Sequence, residues 1–161
     1  MGGPGEALVL PRIAADARRH APGVTFTPLE VSVGELRDGL ASGTVDAALG
    51  INERLGAGCR ERAVTEGRYA CLARDGHPKI RTRLTLRHFR ECGHLLVKQE
   101  ASSHHGAVVE RALRQKSLVA RVALQVSSFQ SVGPLLAQSD LIGIVPIGLA
   151  KLLAPRWELR Q

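Results

Sequence analysis

Apolar positions along the chain follow two rhythms, one helical and one extended. From Ala7 to His20, Leu10, Ile13, Ala14 and Ala17 recur at the spacing of one helical face. Pro11 fits there only in the first turn, where its missing N–H costs nothing. Ala21-Pro22-Gly23 ends that helix, and Val24 to Val31 reads as a strand. Ser32-Val33-Gly34-Glu35 has the form of a capping box for a helix carrying Leu36 and Leu40, and Gly43 supplies a left-handed stop. Val45 to Ile51 then reads as a buried strand. Arg60 to Val64 and Arg68 to Ala73 read as two further strands, and Gly76-His77-Pro78 as a loop. Thr85 can cap a short helix through Phe89. His94 to Val97 is extended, residues 106–115 are helical, and Arg121 to Val126 is extended again. Phe129 to Gln138 has helical spacing with Ser127 or Ser128 as its cap, and Pro134 inside it demands a late start or a kink. Leu141 to Val145 is a continuous apolar strand closed by Pro146, and Ile147 to Leu153 is the last helix.

Helix and strand alternate almost throughout, which predicts α/β architecture with parallel sheet and helices on both faces. The pattern falls into two Rossmann-like lobes, 1–64 and 65–161, joined by the paired strands at 60–73. In open parallel sheets a ligand sits beyond the carboxyl ends of the strands, against helix N-termini. Four strand ends here lead into polar residues or caps: Val31 into Ser32, Val97 into Lys98 and Gln99, Val126 into Ser127 and Ser128, and Val145 into Pro146. Capping alone explains Ser32 and Ser128 equally well when each is taken singly. Four ends meeting at one inter-lobe cleft favour a polar ligand site.

Composition narrows the chemistry. Hydrophobic residues make up 44% and charged residues 23%, so a disordered chain is excluded. Aromatics are only 3%, which leaves an aliphatic core and too few platforms for base stacking on single strands. The net charge of +7 is concentrated in residues 51–120, with fourteen basic and seven acidic side chains. Most of those arginines alternate with apolar residues and read as solvated faces instead of a polyanion-binding block. Cys59, Cys71 and Cys92 are odd in number and form no CxxC pair, so neither a disulfide framework nor a zinc ribbon is indicated. His88, Cys92 and His94 are close in sequence but lack a fourth donor, and no metal or cofactor is expected. His104-His105 beside Ser102 and Ser103 reads as a polar loop entering a helix; a catalytic triad has to be assembled by geometry. Phosphate-cradling and nucleophile-elbow motifs are missing, so no catalytic residue is assigned. The longest apolar run, Leu141 to Ala150, is far shorter than the ~20 residues that span a bilayer. A soluble, reducing-compartment, cytoplasmic protein is expected.

Several runs carry a resemblance. They are Leu10-Pro11 with its helix, Ala21-Pro22-Gly23-Val24, and Leu40-Ala41-Ser42-Gly43-Thr44-Val45-Asp46-Ala47-Ala48-Leu49-Gly50. The middle adds Arg68 to Pro78, then Leu84-Thr85-Leu86 and Phe89, and the last part adds Leu135 to Pro146. In this order, over nearly the whole chain, they resemble the effector-binding domain of LysR-type transcriptional regulators. The likeness is to the NahR-like subgroup answering to salicylate and nitroaromatic breakdown products, with the nodulation regulators as relatives.

The resemblance implies a fold of the periplasmic-binding-protein type II kind. It implies a small, often aromatic and acidic effector in the cleft, and a homo-oligomer, dimer or tetramer, on promoter DNA. By position the effector contacts are Gly5 and Glu6 before the first helix, then Ser32, His94, Ser127, Ser128, Phe129, Gln138 and Pro146. Ser128 stands where aromatic-acid-responsive members carry His, and Gln138 where they carry the Arg that holds the carboxylate. Losing that charge-assisted partner weakens the case for a salicylate-like ligand and admits a neutral one. DNA contact is expected from a winged helix-turn-helix that the 161 residues do not contain, and the first lobe is expected to be incomplete, with unpaired strand edges. A solute-binding protein or an enzyme on the same bilobed fold is the alternative reading.

Overall fold

The computed structural model describes residues 3–50, 58–63, 67–98 and 104–161. The chain divides into two compact units, Met1–Glu66 and Gly67–Gln161, and each is considered by itself.

Among its described residues the first unit holds three helices: α1 (Gly3–Leu8), α2 (Leu10–His20) and α3 (Val33–Ser42). Pro11 lies in the first turn of α2, as its missing N–H requires. The expected single helix is broken at Val9, so Gly5 and Glu6 lie inside α1 instead of ahead of the first helix. The capping box forms in full. The Glu35 N–H donates to Ser32 Oγ at 3.3 Å, and the Ser32 N–H donates to Glu35 Oε2 at 3.1 Å. Ser32 Oγ also donates to Glu35 Oε2 at 2.6 Å. These bonds hold the exposed Glu35 carboxyl below its ordinary range. Gly43 closes α3 at φ +75°, in the left-handed region where a Cβ is disfavoured.

The strands expected at 24–31 and 45–51 are not formed over their described residues, and neither is the one at 60–64. A lone strand is marginal in water, because its N–H and C=O groups need a ladder partner. No ladder is made to these stretches among the described residues, so Val24, Phe26 and Leu29 stay half exposed. The expected strand pair at 60–73 therefore reduces to its second member. Residues Ile51 and Val64 lie outside the described residues.

The second unit carries the sheet. Its elements are β1 (Tyr69–Arg74), α4 (Leu86–Glu91), β2 (His94–Val97), α5 (His104–Gln115), β3 (Val122–Val126), a 3-10 turn (Phe129–Ser131), α6 (Val132–Ala137), β4 (Ile142–Pro146), α7 (Ile147–Trp157) and β5 (Leu159–Arg160). The strand order is β3-β2-β4-β1-β5. β2 runs parallel to β3 and β4, whereas β1 runs antiparallel to β4 and β5. The sheet is thus mixed, not wholly parallel. β4 reads as a continuous apolar run because both its faces are covered. Ile144 and its partner Cys71 face the cluster of Ala73, Phe89, Leu118 and Ile142. On the other face Leu136 of α6 closes over Gly143. The helix after β3 starts late, as Pro134 demands: a 3-10 turn capped by Ser128 precedes α6.

His77, 3% exposed, ties the loop after β1 to the start of β4. The N–H groups of Lys79 and Ile80 donate to its Nδ1 at 3.1 and 3.2 Å, which leaves Nε2 to donate to the Asp140 carbonyl at 3.1 Å.

Candidate functional site

Because β2, β3 and β4 are parallel, their carboxyl ends share one edge of the sheet. The Lys98 N–H donates to the Val126 carbonyl at 2.8 Å, which brings the exits of β2 and β3 level. Tyr69 is paired with Pro146, and the Ile147 N–H donates to the Arg68 carbonyl at 2.8 Å, so the start of β1 joins the same edge. This edge gathers Lys98, Ser127, Ser128, Phe129, Pro146 and Tyr69. Ser128 Oγ accepts from the Gln130 N–H at 3.2 Å and caps the 3-10 turn. Ser127 is exposed, whereas Phe129 is buried.

The other two candidates of this unit are elsewhere. His94 opens β2 opposite Val122 and Ile142, at the amino ends of the parallel strands. It is 1% exposed and meets Phe89 edge-on with ring centroids 4.4 Å apart. Gln138 ends α6, exposed, shortly before β4 begins, and so belongs to that same amino edge. The structure does not bring either of them to Ser128. Gly5, Glu6 and Ser32 lie in the first unit, with the Ser32 hydroxyl engaged in its cap.

His88 is also accounted for locally. Its Nδ1 accepts from the Thr85 N–H at 3.3 Å, reciprocating the Thr85 cap on the His88 N–H. Among the described residues no group of three His, Cys, Asp or Glu is placed to hold a metal ion. No helix of the described residues is long and apolar enough to cross a membrane.

Sequence reasoning missed His105. It enters α5 as a buried residue, 7% exposed, between Tyr69 and Phe129. Its ring lies 5.2 Å from the Tyr69 ring and 4.8 Å, edge-on, from the Phe129 ring. Neither of its nitrogens has a hydrogen-bond partner, and the Tyr69 hydroxyl has none either. Desolvation pushes the imidazole down to about 4, although the nearby Ile144 backbone offsets part of that, so the ring is neutral at pH 7. Burial likewise raises the Tyr69 phenol. Buried polar groups are normally satisfied, so unpartnered ones at a strand-end edge are candidates for ligand contact. A neutral imidazole offers one donor and one acceptor to such a ligand. Adjacent histidines in a polar stretch carry no periodic sign of burial, and Tyr69 and Phe129 meet His105 only through the fold.

Known proteins resemble this chain along nearly all of its length. The family model described as the LysR substrate binding domain matches residues 4–160. The transcriptional activator NahR of Pseudomonas putida is 32% identical over 146 residues, 91% of this chain and 48% of that protein. The activator NagR of a Ralstonia species is 31% identical over 142 residues, 88% of this chain and 46% of that protein. The chain therefore spans about half the length of the curated relatives it matches. Among solved structures, the regulatory domain of MexT from Pseudomonas aeruginosa superposes with a TM-score of 0.76 at 27% identity, covering 97% of this chain and 76% of that one. The probable transcriptional regulator PA0477 from the same organism gives 0.76 at 26% identity, covering 96% of this chain and 51% of that one. With the mixed α/β sheet and the matched span taken together, the chain belongs to the LysR substrate-binding-domain family.

Proposed function

We propose that the chain senses a small organic effector for a cytoplasmic LysR-type transcriptional regulator, holding it at the strand-end edge of the second unit. The contacts there are Ser127, Ser128, Phe129, Pro146 and His105. The observation that carries this reading is His105: a buried imidazole without a hydrogen-bond partner, beside Phe129 at the exits of three strands. His94 and Gln138 stand at the opposite edge of the sheet, so they are given no direct contact. The effector is an aromatic or other compact organic molecule with an acceptor for the imidazole N–H, and it need not be an anion, because Ser127, Ser128 and the neutral His105 carry no charge.

The domain performs no chemistry of its own. It works by binding one arrangement of a homo-oligomeric regulator better than another, which shifts the population between them. Sequence-specific DNA contact belongs to a helix-turn-helix module of the kind that the relatives' names announce. A solute binder or an enzyme on the same fold is not favoured, since the relatives are transcriptional regulators.

A thermal-shift panel of aromatic and aliphatic carboxylates and their amides tests this. A ligand at a hundred times its dissociation constant stabilises by about 2.7 kcal/mol. The expected result is a concentration-dependent shift for one chemical class, reduced at least tenfold in apparent affinity by His105→Phe. Silence across the panel with a cooperative melt contradicts the reading.

A further inference from the structure

A cavity of about 340 Å³ lies within the second unit, beneath α5. Cys71 and Ile144 form its floor from the sheet, Phe89 a wall from α4, and Val109 and Leu113 the roof from α5. The cavity is open to solvent on one side, and its volume falls in the range of small-molecule sites, roughly 300 to 1,000 Å³. Water is a poor occupant, because it needs two to four polar partners and these walls are apolar. Burial pushes the Cys71 thiol up to about 11, so it too acts as an uncharged apolar wall.

Of the polar residues in the lining, Thr85 has its hydroxyl engaged by the His88 N–H, which leaves two others. Tyr69 lines the cavity, and its hydroxyl is buried without a partner. Lys116 also lines it, beside Ala112 and Leu86; all three are exposed and mark the mouth. The two polar groups are far apart. The Tyr69 ring touches His105, and Lys116 stands eleven residues further along, about 16 Å at the rise of a helix. The cavity is therefore long, with a cation at its open end and a hydroxyl at the other.

We propose that this cavity is a second small-molecule site, adjoining the strand-end edge only at Tyr69, for an elongated apolar monocarboxylate with a polar group at its far end. Its carboxylate pairs with the Lys116 ammonium, its chain lies between Phe89 and Val109, and its distal group bonds to the Tyr69 hydroxyl. Inside such a cavity the distal hydrogen bond discriminates strongly, because the Tyr69 hydroxyl otherwise stays unpaired.

Calorimetric titration of the 161-residue chain with decanoate and with 10-hydroxydecanoate tests the assignment. Both are expected to bind saturably with one-to-one stoichiometry, the hydroxy acid at least fivefold more tightly. Tyr69→Phe should erase that advantage while sparing decanoate. Ala112→Phe, at the mouth, should weaken both at least tenfold with a cooperative melt retained. Lys116→Glu, at an exposed position that the fold tolerates, should weaken both at least fivefold even if the Phe variant misfolds. No saturable binding below millimolar concentration, or undiminished affinity in Lys116→Glu, overturns the proposal.

Discussion

Gly133 of α6 lies flat against the indole of Trp157 at the end of α7, so closely that a Cβ at Gly133 would overlap ring atoms Cδ1 and Nε1. Gly133 is buried and the indole is half-buried, so a methyl at Gly133 is admitted only if the ring shifts. Gly133→Ala should therefore destabilise the second unit by about 1 to 3 kcal/mol, the range for overpacked sites, despite the better helix propensity of Ala. Urea unfolding checks this. The Gly133→Ala/Trp157→Ala pair should lose less than the sum of the two single changes, because the overlap is gone.

His77 holds three backbone groups with one ring. His77→Leu leaves the part-buried Lys79 N–H and Asp140 carbonyl without that partner and removes the ring bond to the buried Ile80 N–H. The expected loss is about 2 to 3 kcal/mol in chemical denaturation. Asp140→Ala should cost less than about 1 kcal/mol, because the Arg74–Asp140 ion pair is partly exposed while the Asp140 carbonyl remains.

His105 and His94 are both shifted downward by burial, His105 to about 4. The unfolded imidazoles, near 6.5, take up protons first as pH falls. Their stability contribution is thus complete above pH 6.5 and is lost as pH drops toward the folded values. Each histidine can steepen the acid limb by up to about 1.4 kcal/mol per pH unit. His105→Phe should flatten the limb between pH 6.5 and 4 in melts across pH. An unchanged limb would mean that the His105 imidazole takes up its proton as readily in the folded chain as in the unfolded one.

Cys71 is held as a thiol by its apolar surroundings, with its ionisation moved up to about 11. Thiolate is the reactive form, so a disulfide reagent at pH 8 should modify Cys71 only on unfolding. Mass mapping of labelled peptides in native buffer and in urea reads this directly. Native labelling of Cys71 would show that the cavity beneath α5 opens widely.

Much of the second unit was legible in local residues. Ser128, Thr85 and Pro134 announce caps and a late helix start, and these depend only on neighbours three or four positions away. The continuous apolar β4 declares burial on both faces. What local pattern does not carry is the partner of a strand. The alternation at 24–31 is present, yet no ladder forms there among the described residues, and nothing in residues 69–74 signals that β1 runs against β4. The candidate site divides the same way. Ser127, Ser128 and Pro146 follow strands and could be found from strand ends, whereas Phe129, beside them, came from the family likeness. His94 and Gln138 came from the family likeness and belong to the other edge, while His105 depends on contacts with residues 36 and 24 positions away.

The most direct measurement of the account follows the ring nitrogens of His105 by nitrogen-15 NMR of histidine-labelled chain during titration with whichever compound stabilises it. A bound effector that accepts from this imidazole should shift the His105 ring signals saturably, in step with the amides of Ser127 and Ser128, and leave His94 unmoved. If those serine amides report saturation while the His105 ring stays silent, the imidazole is no part of the site and the central claim is wrong.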